Sequence, residues 1–462
     1  MLLAEESPVH SSSSSDDFAA LLEAELELGS SDFCPNDDIA DNAWESDVEE
    51  LRNKRIKVDS GDSGDLHESA KVVTVKEFEG STSNLQGEGR CPPHPGFFGG
   101  MCVRCAEPEE ENESAVAFGY IHKGLKLGSR EIDRLREADL KNLLREKKLI
   151  LILDLDHTLL NSTRLVDATD EEQYLLREAE SVNVLHDHQR SLFKLDSMHI
   201  ITKLRPFVHT FLKEARSIFE MYVYTMAERS YALEVVKLLD PEKKYFNSKV
   251  ISQNDSTQRH QKGLDVVLGA ESIVVILDDS EFVWHKHKEN LILMERYHFF
   301  ASSCRQFGFN AKSLSELKQD ESESDGALAT TLSVLKRAHQ MFFDPALDMD
   351  LSCRDLRQIL GTIRRGVLGG CRIVFSRLFP SKSKPEDELM WRIAEQLGAI
   401  CLKEVDASVT HVVSTDAGTQ KSHWARQNDK FLVNPGWIEA SKFMWRRQPE
   451  KNFPVYRPRE SQ

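Results

Sequence analysis

The sequence has no run of about 18 apolar residues, which excludes a membrane-spanning helix. Its opening stretch, MLLAEESPVHSSSSSDD, lacks both a basic n-region and an apolar h-region, so no secretory signal is expected. Cysteine is scarce, with eight in 462 residues. Only Cys91, Cys102 and Cys105 cluster, in a pattern suited to a metal rather than to a disulfide framework. A reducing compartment, cytosol or nucleus, follows. Lysine and arginine are missing altogether from residues 1–50, which carry 15 Asp and Glu and account for nearly all of the net charge of −17. The remainder is close to neutral, so no broad basic surface and no sequence-specific nucleic-acid binding are expected. No internal repeat is present, and the length predicts two or three domains.

What is present divides the chain. Residues 1–90 read as a disordered acidic region, because a self-repelling segment buries too little apolar surface to offset its ordering entropy. Phe18, Leu21, Leu22, Leu26, Phe33 and Trp44 interrupt the acidic run, as in acidic-hydrophobic interaction segments, although a merely solvating tail reads the same way. Arg52, Lys54, Arg55 and Lys57 form a basic cluster that suits either nuclear import or a solvated patch. Residues 128–147 have helical periodicity. The run Leu149 to Leu153 is wholly apolar and ends on Asp154, reading as a central parallel strand. Phe219 to Tyr224 ends on Thr225, and Ile273 to Leu277 ends on Asp278-Asp279. Helices fit at 207–217 and 229–239. This alternation predicts an α/β domain over 120–300, with the three polar strand ends converging where such sheets bind ligands. A charged helical linker is expected over 301–360, with ESESDG at 321–326 as its most flexible part. A second globular unit follows from 366.

Two carboxylates two residues apart at a strand end, Asp154 and Asp156, can divide the work of covalent catalysis. The first can attack phosphorus and bind a metal. The second can protonate the leaving oxygen and later activate water. Asp278 and Asp279 are hard oxygen ligands suited to Mg²⁺. Lys262 can neutralise phosphate charge, and the Thr225 hydroxyl can bond a phosphate oxygen. Singly, these are weak signals: an Asp after a strand is often a helix cap, and Asp278-Asp279 could be a turn.

Together, DLDHT, YTMAERSYA at 224–232, RHQKGLDVVLG at 259–269 and LDDS, with Lys203-Leu204-Arg205-Pro206, resemble the FCP-type phosphatases of the haloacid dehalogenase superfamily. The layout is most similar to the plant C-terminal-domain phosphatase-like proteins, and the resemblance covers about 120–455. It implies a haloacid-dehalogenase-like, Rossmann-like parallel sheet, with no large cap insertion evident. It further implies Asp154 as nucleophile, Asp156 as general acid/base, and phosphate contacts from Thr225, Lys262 and Arg205. Mg²⁺, with Mn²⁺ or Co²⁺ as substitutes, would sit on Asp154, Asp278, Asp279 and the Asp156 carbonyl. Asp240 matches a charged position of the group. His157 stands in place of a commoner glutamate, and Gln253-Asn254 in place of a Ser-Arg pair. The implied activity is that of a nuclear protein-serine/threonine phosphatase acting on the phosphorylated C-terminal repeats of RNA polymerase II. General transcription factors are further partners expected at the acidic tail or the C-terminal domain. Another nuclear phosphoprotein as substrate, or a non-catalytic scaffold, are the rival readings.

Cys91, His94, Cys102 and Cys105 have the spacing of a tetrahedral Zn²⁺ site over 91–105, although three reduced thiols in a loose stretch would read identically. Residues 366–456 resemble a small α/β BRCT domain, on a Gly-Gly turn, Gly398, Thr410-His411-Val412-Val413 and Trp437. Ser376 and Lys421 match the positions with which some members of that group bind phosphopeptides.

Overall fold

The computed structural model describes residue 91 and residues 93–110, 114–180, 190–309, 311–347, 349–380 and 382–456. The acidic region 1–90 and its basic cluster lie outside these residues. From Pro93 onward the chain is one compact unit.

It opens with a small antiparallel sheet, order β2-β1-β4-β3, of β1 (Gly96–Phe98), β2 (Met101–Cys102), β3 (Ala115–Ala117) and β4 (Leu125–Gly128). Helix α1 (Ser129–Glu146) follows, buries Ile132 and Leu143, and ends on Lys147 in the left-handed region. The apolar run then forms β5 (Leu149–Leu153), every residue of which is buried. The next segment departs from expectation. Residues 160–204 form an insertion: β6 (Leu160–Arg164), α2 (Gln173–Glu180), β7 (Leu192–Leu195) and β8 (Ile200–Leu204), the strands pairing antiparallel as β6-β8-β7. They carry polar residues, several of them buried (Asn161, Thr163 and Thr202), so they lack the continuous apolar signal of a central strand.

Helix α3 (Val208–Ala215), β9 (Phe219–Tyr224), α4 (Arg229–Leu239), β10 (Val250–Ile251), β11 (Val274–Asp278) and β12 (Leu291–Leu293) complete the central sheet. Its order is β10-β9-β5-β11-β12, and every pairing is parallel. The register sets Leu153 beside both Leu277 and Val223, so three strands end at one level. This is the predicted doubly covered parallel sheet.

The expected linker is a second correction. After the short α5 (Ala301–Gln306), α6 (Ala327–Phe342) buries Leu328, Leu332, Leu335 and Phe342, and α7 (Leu356–Arg365) buries Leu356, Leu360 and Ile363. The buried residues of α6 and α7 join the core of the parallel sheet. The segment is therefore part of the catalytic domain rather than a tether. The C-terminal domain comprises β13 (Arg372–Ser376), α8 (Leu389–Gln396), β14 (Ile400–Leu402), β15 (His411–Ser414), α9 (Gln420–Gln427), β16 (Phe431–Val433) and α10 (Gly436–Phe443). Its parallel sheet has the order β14-β13-β15-β16, with Trp391 and Trp437 in its core.

Candidate active site

Asp154 follows β5, Thr225 follows β9 and Asp278 closes β11, so the sheet delivers three polar groups to one edge. The backbone ladder continues past the strands: Asp154 N–H donates to the Leu277 carbonyl at 3.0 Å, and Thr225 N–H to that of Ile251 at 3.0 Å. Lys262, 5% exposed, reaches in from a loop and donates to Asp154 Oδ1 and Asp278 Oδ2, both at 2.6 Å. Asp278 also accepts from Trp284 Nε1 at 2.8 Å and from the Ser280 N–H at 2.8 Å. Asp279 accepts from Arg296 Nε at 2.8 Å and from Thr158 Oγ1 at 3.3 Å.

One carboxylate oxygen from each of Asp154, Asp278 and Asp279 falls within 4.8 Å of the others. Three hard oxygens so close fit a divalent cation of the Mg²⁺ class. Burial pushes the Asp154 carboxyl well above its ordinary range; the Lys262 charge opposes this, and Asp278 and Asp279 add to it. Burial works against the Lys262 ammonium too, but Asp154 and Asp278 prevail and raise its pKa. Three carboxylates against the two cations Lys262 and Arg296 leave net negative charge at the edge, which a bound divalent cation would offset.

Asp156 sits apart. Its carboxylate accepts from Tyr231 Oη at 2.5 Å, and Tyr231 is in turn linked to Ser162 Oγ at 2.9 Å and on to Thr202. Any contribution of Asp156 to a metal therefore comes from its main chain. Burial raises its pKa to about 6, against the Tyr231 bond and the Lys262 charge. A carboxyl poised there can give and take a proton near neutrality. Thr225 Oγ1 accepts the Ala227 N–H at 3.0 Å, so its own proton remains for donation.

Arg205 is not a phosphate group in this structure. Its side chain is wholly buried and donates to the carbonyls of Thr158 at 3.0 Å and Glu295 at 2.9 Å. The carboxylate of Glu321 takes two further bonds, at 2.9 and 2.7 Å. Planar guanidinium chemistry explains the choice: five donors in a fixed fork tie the loop after β5 to the chain after β12. Asp240 is likewise structural, accepting the N–H groups of Lys244, Tyr245 and Phe246.

Residues 149–325 match the NLI interacting factor-like phosphatase family, and residues 378–437 match the twin BRCT domain. The chain is 51% identical over 454 residues to RNA polymerase II C-terminal domain phosphatase-like 4 of Arabidopsis thaliana, covering 98% of this chain and 97% of the relative. The chain belongs to the RNA polymerase II C-terminal-domain phosphatase family. RNA polymerase II C-terminal domain phosphatase-like 3, also of Arabidopsis thaliana, is 42% identical over 333 residues, covering 70% of this chain and 26% of that longer relative. The solved structure of Fcp1, an essential RNA polymerase II CTD phosphatase, shares the fold, with a TM-score of 0.54 at 24% identity. The match covers 70% of this chain and 100% of that one.

Membership makes this chain a metal-dependent protein phosphatase, with the parallel sheet and BRCT domain that the motifs predicted. Sequence reasoning missed Tyr231, Trp284 and Arg296, the residues that hold three of the site's carboxylates. Tyr231 lies inside the YTMAERSYA run and was available to it; Trp284 and Arg296 carried no signal. Two further groups of expected residues each lie close together. Ser376 and Lys421 line one open pocket of 430 Å³ with Phe375, Arg377, Gly418, Thr419 and Gln420. There Ser376 Oγ bonds Thr419 Oγ1 at 2.8 Å, and Lys421 Nζ bonds the Lys403 carbonyl at 2.5 Å. Cys91, His94, Cys102 and Cys105 come together with ligand atoms within 4.8 Å of one another.

Proposed function

We propose that this chain is a nuclear phosphatase that hydrolyses phosphoserine or phosphothreonine in the C-terminal repeats of RNA polymerase II, through an aspartyl-phosphate on Asp154. The observation that carries the reading is Lys262, clamped at 2.6 Å to both Asp154 and Asp278 at the shared strand edge. An Asp154 oxygen attacks phosphorus as the ester P–O bond breaks, and Asp156 gives its proton to the departing alkoxide. Asp156, now a carboxylate, takes a proton from water, whose oxygen attacks the acyl phosphate and frees Asp154 and inorganic phosphate. Lys262 and the Thr225 hydroxyl hold the phosphoryl oxygens. Mg²⁺ on Asp154, Asp278 and Asp279, with Mn²⁺ or Co²⁺ as substitutes, would offset the phosphate charge that repels a carboxylate nucleophile.

Serine and threonine fit because an aliphatic alkoxide leaves poorly unless protonated, and burial raises Asp156 to about 6, where a useful fraction still carries the proton to supply. The family name of the close relative supports the polymerase repeats as substrate. The pocket of Ser376 and Lys421 has the donors to dock a second phosphorylated segment.

The test is phosphate release from singly phosphorylated repeat peptides, with and without Mg²⁺, by wild-type protein and Asp154→Asn. We expect Mg²⁺-dependent release that falls at least about 10³-fold in the variant, roughly 4 kcal/mol of barrier. Release without metal, or a variant keeping a tenth of the rate, would overturn the mechanism.

A further inference from the structure

We propose that Cys91, His94, Cys102 and Cys105 hold one structural zinc ion, which staples the β1–β2 hairpin of the small sheet that braces the loop after Lys262. This rests on geometry separate from the phosphatase reading.

The donor set selects the metal. Three thiols and an imidazole are soft or borderline ligands, unlike the all-oxygen cluster at the sheet edge, and they favour zinc over magnesium. Tetrahedral ligands at about 2.3 Å from zinc stand about 3.8 Å apart. The four donor atoms here all lie within 4.8 Å of one another. Cys105 Sγ is 3.4 Å from His94 Nδ1, while His94 Nε2 faces the Glu107 carboxylate at 3.8 Å. A carboxylate behind the second ring nitrogen is the usual way to orient a metal-bound imidazole.

The backbone is arranged for the same purpose. Phe97 pairs with Cys102 and Phe98 with Met101, so Gly99 and Gly100 make a two-residue turn with φ of 59° and 82°. Positive φ at both positions is what this turn demands, and glycine supplies it without strain. Past the turn, the Arg104 N–H points at Cys102 Sγ from 3.4 Å, a bond suited to a thiolate. All three cysteines are reduced, with no disulfide to compete for their sulfurs.

The hairpin needs a staple. Phe98, Met101 and Val103 are 49%, 45% and 58% exposed, so its outer face leaves about half of each apolar side chain in water. Segments this small rarely stand on their own cores and rely on metals or disulfides. The small sheet also reaches the catalytic loop. It leads to Tyr120, whose hydroxyl donates to the Val266 carbonyl at 2.9 Å, four residues past Lys262.

Elemental analysis of full-length protein, expressed with zinc and washed free of loose metal, tests the proposal. About one zinc per chain is expected in the wild type and in the control Cys353→Ser, and less than about a tenth of that in Cys102→Ser and Cys105→Ser. Because those variants can lose the local fold, His94→Cys provides a rescue: a four-thiolate site should keep the full zinc. Cobalt substitution should add the visible absorption of a tetrahedral thiolate centre. Wild-type protein that is folded and metal-free, or zinc retained in Cys102→Ser, would overturn the assignment.

Discussion

The Arg205–Glu321 pair is the most informative place to perturb. The two residues are 116 apart in sequence, Arg205 is fully buried, and the Glu321 side chain is 22% exposed. Changing Glu321→Gln preserves shape and one acceptor but strands a buried charge. Breaking such a pair costs about 3–5 kcal/mol when both partners are buried; partial solvation of Glu321 places this case at about 3 kcal/mol. In a folded unit of this size that lowers the melting temperature by roughly 4 °C. Arg205→Leu should cost more, since it also leaves the Thr158 and Glu295 carbonyls without their donor. The double variant, with Glu321→Leu, should be at least about 1 kcal/mol better than the sum, because no charge remains to strand.

The kinetic assay separates this structural role from phosphate binding. Arg205 holds the backbone of Thr158, whose side chain contacts Asp279, so both single variants should lower kcat together with stability. KM for a small aryl phosphate should move little. Suppose instead that Glu321→Gln melts as the wild type does, while Arg205→Lys raises KM about tenfold. Arg205 would then touch substrate, and the clamp would be refuted.

Tyr231→Phe removes one bond to the Asp156 carboxylate and should lower kcat about tenfold; with the carboxylate less stabilised its pKa rises, so the alkaline limb of the kcat/KM profile, set by Asp156 as the acid, should move to higher pH. Partly buried His157 and buried His411 are held neutral, each lowered to about 4 chiefly by desolvation. The unfolded chain therefore binds more protons between about pH 6.5 and 4, and stability should fall by about 2 kcal/mol per histidine on going from neutral pH to pH 5, as calorimetry can read. His411→Gln should remove one such share. Ser376→Ala with Lys421→Ala should leave hydrolysis of an aryl phosphate unchanged and slow dephosphorylation of intact polymerase several-fold; equal falls on both substrates would mean the pocket supports the fold instead.

Which parts were legible follows from physics. A central parallel strand must be apolar on both faces, so LILIL and IVVIL announced themselves, and the carboxylates ending them were readable from position alone. The insertion sheet was not, because strands that bury hydroxyl and amide side chains, such as LNSTR and IITKL, give no unbroken apolar run. The linker error has a different origin. Leu328, Leu332, Leu335 and Phe342 recur at helical spacing, and that period outweighs the charge of the ESESDG stretch before it. Arg205 misled for a third reason: a cation beside a phosphatase motif looks catalytic until its partners, as far off in the sequence as Glu321, are seen.

The packing of α6 and α7 into the catalytic core changes how the two domains can cooperate. Helix α7 buries its apolar face in the catalytic core and runs directly into the C-terminal domain. Its end is tightly seated: a side chain at Gly398, where φ is +93°, would come within 1.8 Å of the Arg365 carbonyl. The Leu368 N–H bonds the Leu397 carbonyl at 2.8 Å, and Trp445 packs into the catalytic core under the Arg364 guanidinium, 4.9 Å away. A flexible tether would let the C-terminal pocket reach many partners at modest effective concentration. A fixed seat does the opposite, since a partner gains from both sites only if its own spacing matches the span between them. A repetitive substrate meets that demand without a dedicated sequence, because some pair of repeats always lies at the right separation. Rigidity here therefore favours the proposed polymerase repeats over a phosphoprotein with a single modified serine.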